Sequence, residues 1–233
     1  MNKILASFLR PIWRSVTGKK FRSREYWEKR YTSGGNSGAG SYGRLAVFKA
    51  EIINRFVKQH GIRSVLDLGC GDGNQVALFE IPRYTGLDVS PFIVDMCRKR
   101  FAADPGKSFF LYDLSRDDTR VSSDPADLTL SLDVIYHLTE DAVFERYMQD
   151  LFDWSGKYVI IYSSDTGSQD PDQAEHVFHR KFSDWIVGNR PEWTQVEKIR
   201  NRYPWQGDGE EESMSDFYIY RKSPDQKTDV LSH

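Results

Sequence analysis

The sequence predicts a single α/β domain: an open, mostly parallel sheet with helices on both faces and a C-terminal antiparallel hairpin. Three observations carry this expectation. Strand-like and helix-like segments alternate from residue 45 to residue 189, the pattern of parallel strands joined by right-handed crossovers. The first strand runs into glycines at 69, 71 and 73, an arrangement that sets backbone N–H groups beside a bound ligand. Finally, 194–203 and 214–221 alternate in polarity with only an acidic loop, GDGEEES, between them, so they pair as a hairpin. A chain of 233 residues buries a sizeable core without disulfides or metals. Cys70 and Cys97 offer no disulfide framework, which fits a reducing, cytoplasmic setting.

The elements follow in order. Residues 1–43 read as an arm and a glycine-rich lid, 44–223 as the α/β domain and 224–233 as a tail. Residues 1–30 carry nine basic side chains against Glu25 and Glu28, a net of +7 that leaves −9 for the remainder of a chain of net charge −2. Within residues 1–20, Ile4, Leu5, Phe8, Leu9, Ile12, Trp13 and Val16 share one helical face, broken near Pro11. This basic amphipathic segment suits an anionic lipid surface; equally, it suits docking on its own domain or on a second subunit. Tyr26, Trp27 and Tyr31 fit a short helix packing down onto a site, and GGNSGAGSYG at 34–43 reads as a flexible connector or a mobile lid, with no G-K-[ST] to make it a phosphate loop. Leu45, Phe48, Ile52, Ile53, Phe56 and Val57 hold helical spacing up to His60 and Gly61, a glycine stop. Strands are expected at 64–68, 83–88, 108–113, 126–132 and 157–163, and helices near 74–80, 91–103, 140–153 and 181–189; Ser90-Pro91 marks one helix start as cap and first-turn proline. No apolar run is long enough to span a membrane.

The glycine loop VLDLGCGDGNQ, residues 65–75, excludes the dinucleotide fingerprint, which needs G-x-G-x-x-G. Asp67 in the strand would repel a pyrophosphate but suits a ligand with an ammonium and a sulfonium. The string resembles motif I of the class I S-adenosylmethionine-dependent methyltransferases, and the resemblance covers roughly residues 45–221. It implies a seven-stranded Rossmann-like sheet with a reversed last strand, and S-adenosylmethionine as cofactor. Acids stand at three successive strand ends: Asp67, Asp88 and Asp113. By resemblance, Asp67, Gly69 and Gly71 hold the methionine end, Asp88 accepts the ribose hydroxyls, and Asp113 with Leu114 meets the adenine. Asp72, which also reads as a plain turn residue, together with Val89, Leu132, Tyr31 and Tyr42 completes the implied cofactor set.

LSLDVIYHL at 130–138 resembles motif IV of the same family, where transferable methyl and acceptor meet. His137 is the candidate base for a hydroxyl acceptor, since its ordinary pKa lies near neutrality; a capping or packing histidine is the structural alternative. Asp133 orients an acceptor or caps the next helix, and Tyr136 lines the pocket. HVFHRKFSDWI at 176–186 resembles the segment bordering the acceptor pocket in small-molecule methyltransferases, so His176, His179, Arg180 and Ser163 are candidate acceptor ligands, against the reading of a basic capped helix start. A metal at His176 and His179 would need a third ligand the motif does not supply. Together with YWEKRY and SGAGSYGRL, these motifs resemble bacterial methyltransferases of cell-surface glycans and small metabolites. That implies O-methylation of a sugar or small-molecule hydroxyl, with a glycan or small-molecule acceptor and no nucleic-acid partner. Rival readings are a non-catalytic cofactor-binding partner subunit and a protein methyltransferase.

Overall fold

A computed structural model describes residues 21–113, 123–207 and 211–224. The amphipathic segment 1–20, Leu114 and the tail beyond 224 lie outside the described residues. The chain enters through α1 (Ser23–Thr32), passes the glycine-rich segment and continues into α2 (Gly43–Gln59). Then come β1 (Ser64–Leu68), β2 (Arg83–Asp88), α3 (Pro91–Arg100), β3 (Lys107–Leu111), β4 (Ala126–Leu132), α4 (Asp141–Asp153), β5 (Ser155–Ser163), α5 (Phe182–Asn189), β6 (Trp193–Ile199) and β7 (Asp216–Lys222).

The seven strands lie in the order β3-β2-β1-β4-β5-β7-β6. β1 to β5 pair in parallel, and β7 runs antiparallel to both of its neighbours, β5 and β6. Both faces of the sheet are buried, which explains why the strands read as nearly continuous apolar runs. Val65, Leu128, Leu130, Ile160 and Tyr162 face one core with α2 and α3. Their strand neighbours Leu66, Leu68, Val159 and Ile161 face the other, with α4 and α5, as the two-residue period of a strand requires.

α3 begins as its sequence predicts, with the Ser90 hydroxyl accepting from the Ile93 N–H at 3.2 Å and Pro91 at the first position. α2 ends at His60, with Gly61 in the left-handed region. The helix expected near 74–80 is replaced by a single 3-10 turn, Val76–Leu78. Only a short connection separates β1 from β2, and Pro82 disfavours helix in the residue before it. The polar side chains of this connection are instead tied down: Gln75 Nε2 donates to the Ala46 carbonyl, Asn74 Nδ2 to the Ser41 carbonyl, and Asn54 of α2 brackets Leu78 and Glu80. The hairpin strands are shorter than the alternating stretches suggested, because the chain leaves β6 at Ile199 and Asn201 then caps the loop through the Tyr203 and Ser213 carbonyls.

Candidate active site

β1 is flanked by β2 on one side and β4 on the other, so the strand order reverses there, the place where open α/β sheets bind ligands. A cavity of about 530 Å³ opens at that point, against the carboxyl ends of β1, β2 and β4. Its floor is the glycine loop. Gly69, Gly71 and Gly73 have φ of 91°, 59° and 76°, and each is also required by its surroundings. A Cβ on Gly69 would come within 2.5 Å of the Val134 side chain, one on Gly71 within 2.3 Å of Ser37 Oγ, and one on Gly73 within 2.7 Å of the Phe101 ring. The glycine spacing therefore records three close approaches: motif IV, the glycine-rich segment and α3.

At the end of β2, Asp88 lines the cavity with its carboxylate held by two backbone donors, Gly71 N–H on Oδ2 and Ser90 N–H on Oδ1, each at 3.0 Å. Burial raises its pKa to about 6, and the N–H groups of Ser90 and Gly71 oppose the rise. Val89, Leu132 and Tyr31 line the cavity beside it. Asp67 does not. It shares the β1 face of Val65 and points into the core beneath α2, where Tyr84 donates a 2.7 Å hydrogen bond to Oδ2 while Oδ1 has no partner. Burial lifts its pKa to about 7 against the pull of Tyr84 and Lys49.

Asp72 and Tyr42 also stand outside the cavity wall, and together they fasten its lid. The Asp72 carboxylate accepts from Ser37 N–H at 2.9 Å and Tyr42 OH at 2.8 Å, and Ser37 Oγ accepts from Asp72 N–H. The glycine-rich segment is thus bonded to the glycine loop rather than hanging free. Asp113, at the end of β3, meets Arg24 of α1 at 3.4 Å.

On the opposite wall stand Asp133 and His137. Asp133 follows β4 with φ of 60°, the one non-glycine residue with positive φ among the described residues, a conformation that persists only where surrounding structure enforces it. Here Lys49 Nζ of α2 donates to Oδ2 at 2.7 Å, and Tyr136 OH and Ser215 Oγ both donate to Oδ1 at 3.0 Å. His137 Nδ1 lies 2.9 Å from the His176 carbonyl. A carbonyl only accepts, so Nδ1 carries the hydrogen and Nε2 keeps a lone pair. Burial pushes the His137 imidazolium down to about 4, with the His176 carbonyl acting in the opposite sense. Its ring is stacked on that of His176, which is stacked in turn on Tyr26, while Trp27 meets His137 edge-on.

The remaining candidates do not reach the cavity. Tyr136 stands behind Asp133, Ser163 is fully buried with its hydroxyl on the Ser164 carbonyl, His179 is held by Ser164 Oγ at 2.7 Å, and Arg180 is engaged by the Leu138 and Thr139 carbonyls and Asp141. Among the described residues no cluster of His, Cys, Asp and Glu could hold a metal ion. Sequence reasoning missed Lys49, Ser215, Ser23 and Glu140. α1 is latched over the cavity by Ser23 N–H and Oγ–H on the Glu140 carboxylate at 2.9 and 2.7 Å, and by Ser90 on Glu28. Lys49 had a visible signal: it is the one charge on the buried stripe formed by Leu45, Phe48, Ile52, Ile53 and Phe56.

Residues 65–155, which contain the glycine loop, Asp88 and the β4 end, match the family model of a methyltransferase domain. That stretch of the chain is a methyltransferase domain. No curated protein matches the chain in sequence. Among solved structures, the N-methyltransferase NodS of Bradyrhizobium japonicum WM9, in complex with S-adenosyl-L-homocysteine, aligns over 87% of this chain and 99% of its own, with TM-score 0.64 and 13% identity. Magnesium protoporphyrin IX methyltransferase of Synechocystis PCC 6803 with bound S-adenosylmethionine aligns over 89% and 100%, with TM-score 0.62 and 14% identity. The methyltransferase domain of a bacterial Hen1, CtHen1-C, covers 76% and 97%, with TM-score 0.55 and 19% identity. These likenesses establish the fold.

Proposed function

We propose that this methyltransferase transfers the methyl group to a hydroxyl of a sugar or other small molecule, with His137 as the base. The observation that carries the reading is the His137–His176 hydrogen bond, which commits Nδ1 as donor and leaves Nε2 as acceptor on the cavity wall. The depressed pKa keeps that ring neutral at physiological pH. Asp133, the other candidate, has both carboxylate oxygens already occupied, so it is a poor site for an incoming ammonium.

The residues present suit the cofactor. Asp88 offers the ribose hydroxyls a carboxylate whose orientation two backbone donors fix, and the Gly69–Gly71 backbone leaves space that any Cβ would fill. Gly69, Gly71 and Leu132 take the methionine end in this reading, and Val89 and Asp113 the adenine end; Asp72 and Tyr42 act through the loops they brace. The cofactor supplies an electrophilic methyl and a neutral thioether leaving group. The protein aligns the acceptor oxygen with that methyl, excludes water under α1, and receives the hydroxyl proton on His137 Nε2 as the new O–C bond forms.

The test uses methyl-labelled S-adenosylmethionine with host extract separated into metabolite, lipid-linked glycan, protein and nucleic-acid fractions. Label in a base-stable ether of the metabolite or glycan fraction supports the reading; label on an amine or in protein refutes it. We place the protein in the cytoplasm, with residues 1–20 meeting an anionic membrane face or a second copy of the chain; no helix among the described residues is long and apolar enough to cross a membrane. Flotation with anionic vesicles, against neutral ones, checks that arm.

A further inference from the structure

Lys49 is 1% exposed, on a helix that otherwise turns an apolar stripe to the core. A buried lysine is costly unless paired, and this one is paired on the wall of the reaction chamber. Nζ lies 2.7 Å from Asp133 Oδ2 and 5.2 Å from the centre of the Tyr162 ring. Tyr136 and Ser215 fill the other carboxylate oxygen. The lid is fitted to the pair as well: a Cβ on Gly40 would stand 2.7 Å from Asp133 Oδ2 and 3.9 Å from Lys49 Nζ. Three separate stretches of chain, α2, the glycine-rich segment and Ser215 before β7, therefore converge on one carboxylate that faces the cavity.

Such investment is unnecessary for packing alone, since an apolar pair of the same volume would fill the space at no loss of stability. Its electrostatic consequence is specific. Without Lys49 the wall would present the Asp133 carboxylate uncompensated, an environment that attracts an ammonium; with Lys49 the Asp133 charge is cancelled. We propose that Lys49 is a specificity-determining residue, which cancels the charge of Asp133 so that the chamber accepts a neutral hydroxyl and disfavours a protonated amine. This inference deepens the hydroxyl reading and rests on it.

The probes are S-adenosylhomocysteine, neutral at sulfur, and sinefungin, which carries an amine where S-adenosylmethionine carries its sulfonium methyl. Calorimetry at pH 8 measures both for the full chain, for K49M and for K49M/D133N. The expected result is that K49M tightens sinefungin relative to S-adenosylhomocysteine by about tenfold or more, the scale of one unscreened charge a few ångströms away, and that K49M/D133N restores the wild-type ratio. An unchanged ratio in K49M, or a change that persists in the double variant, overturns the proposal. Should K49M not fold, D133N leaves the lysine cation unopposed and is expected to shift the ratio the other way; a constant ratio there overturns it too. Wild-type protein that binds neither probe would refute the cofactor site itself, whereas a labelled amine product with the expected ratios would refute only the hydroxyl acceptor.

Discussion

The two walls of the cavity are built by different means. On the β1–β2 side the ligand surface is backbone: glycines in left-handed conformation, and an aspartate clamped by N–H groups from its own neighbourhood, Gly71 and Ser90. On the β4 side the surface is side chain, assembled across the chain: Lys49 to Asp133 spans 84 residues, Ser215 to Asp133 spans 82, His137 to His176 spans 39 and Ser23 to Glu140 spans 117. A backbone cradle recognises the part of the ligand common to a whole family, whereas a side-chain assembly is free to vary with the acceptor.

The contrast predicts separable damage. His137→Ala should leave cofactor affinity within about twofold and lower turnover by roughly 10² to 10⁴, the usual contribution of a general base; single-turnover transfer with labelled cofactor checks it, and wild-type rate would reduce the β4 wall to alignment alone. Asp88→Ala should do the opposite, weakening S-adenosylmethionine by about 100-fold through loss of charged hydrogen bonds, as read by calorimetry. Gly71→Ala should weaken binding by about tenfold, because it adds both left-handed strain of about 1–2 kcal/mol and a clash with Ser37. Ser37→Gly in the same chain should relieve the clash while giving up the Asp72 N–H bond to Ser37 Oγ, so it should recover only part of the loss, and Ser37→Gly alone measures the cost of that bond.

A pH profile sharpens the comparison further. His137 is already neutral well above a pKa of about 4, so the acid limb of kcat/KM for the cofactor should reflect Asp88 and Asp67, at about 6 and 7. Binding of a cationic cofactor should rise with pH through that window as the carboxyls ionise, and Asp67→Asn should remove its upper part. The same shifts bear on stability. A carboxyl whose folded pKa is raised favours the folded state below its ordinary 3.8 and loses that contribution as pH rises through the folded value, so Asp67→Asn should raise Tm more at pH 8 than at pH 5. The smallest effect belongs to Arg24→Ala. Its ion pair with Asp113 is long and the arginine is about half exposed, so affinity should change less than about twofold.

The division of labour also explains what was legible in advance. The five parallel strands, the reversed hairpin, the helix ending at Gly61 and the start of α3 follow from local patterns of polarity, glycine and proline. The 74–80 segment was misleading because its apolar periodicity is real, with Val76 and Phe79 buried, but tertiary bonds to α2 and a short crossover hold it as a turn. Asp67 reads as a ligand residue in sequence, and only the alternation of β1 shows that its side chain turns away from the cavity into the core. His179 and Arg180 look available for an acceptor until Ser164, Asp141 and two carbonyls engage them.

By itself, then, the sequence determined the sheet, the glycine cradle and Asp88, because each depends on residues within a few positions of one another and on rules of backbone geometry. The tertiary structure decided the tautomer of His137, the neutralisation of Asp133 by Lys49 and the latch of α1 on Glu140. Those depend on which distant side chains meet once both faces of the sheet are buried, and burial sets their charges.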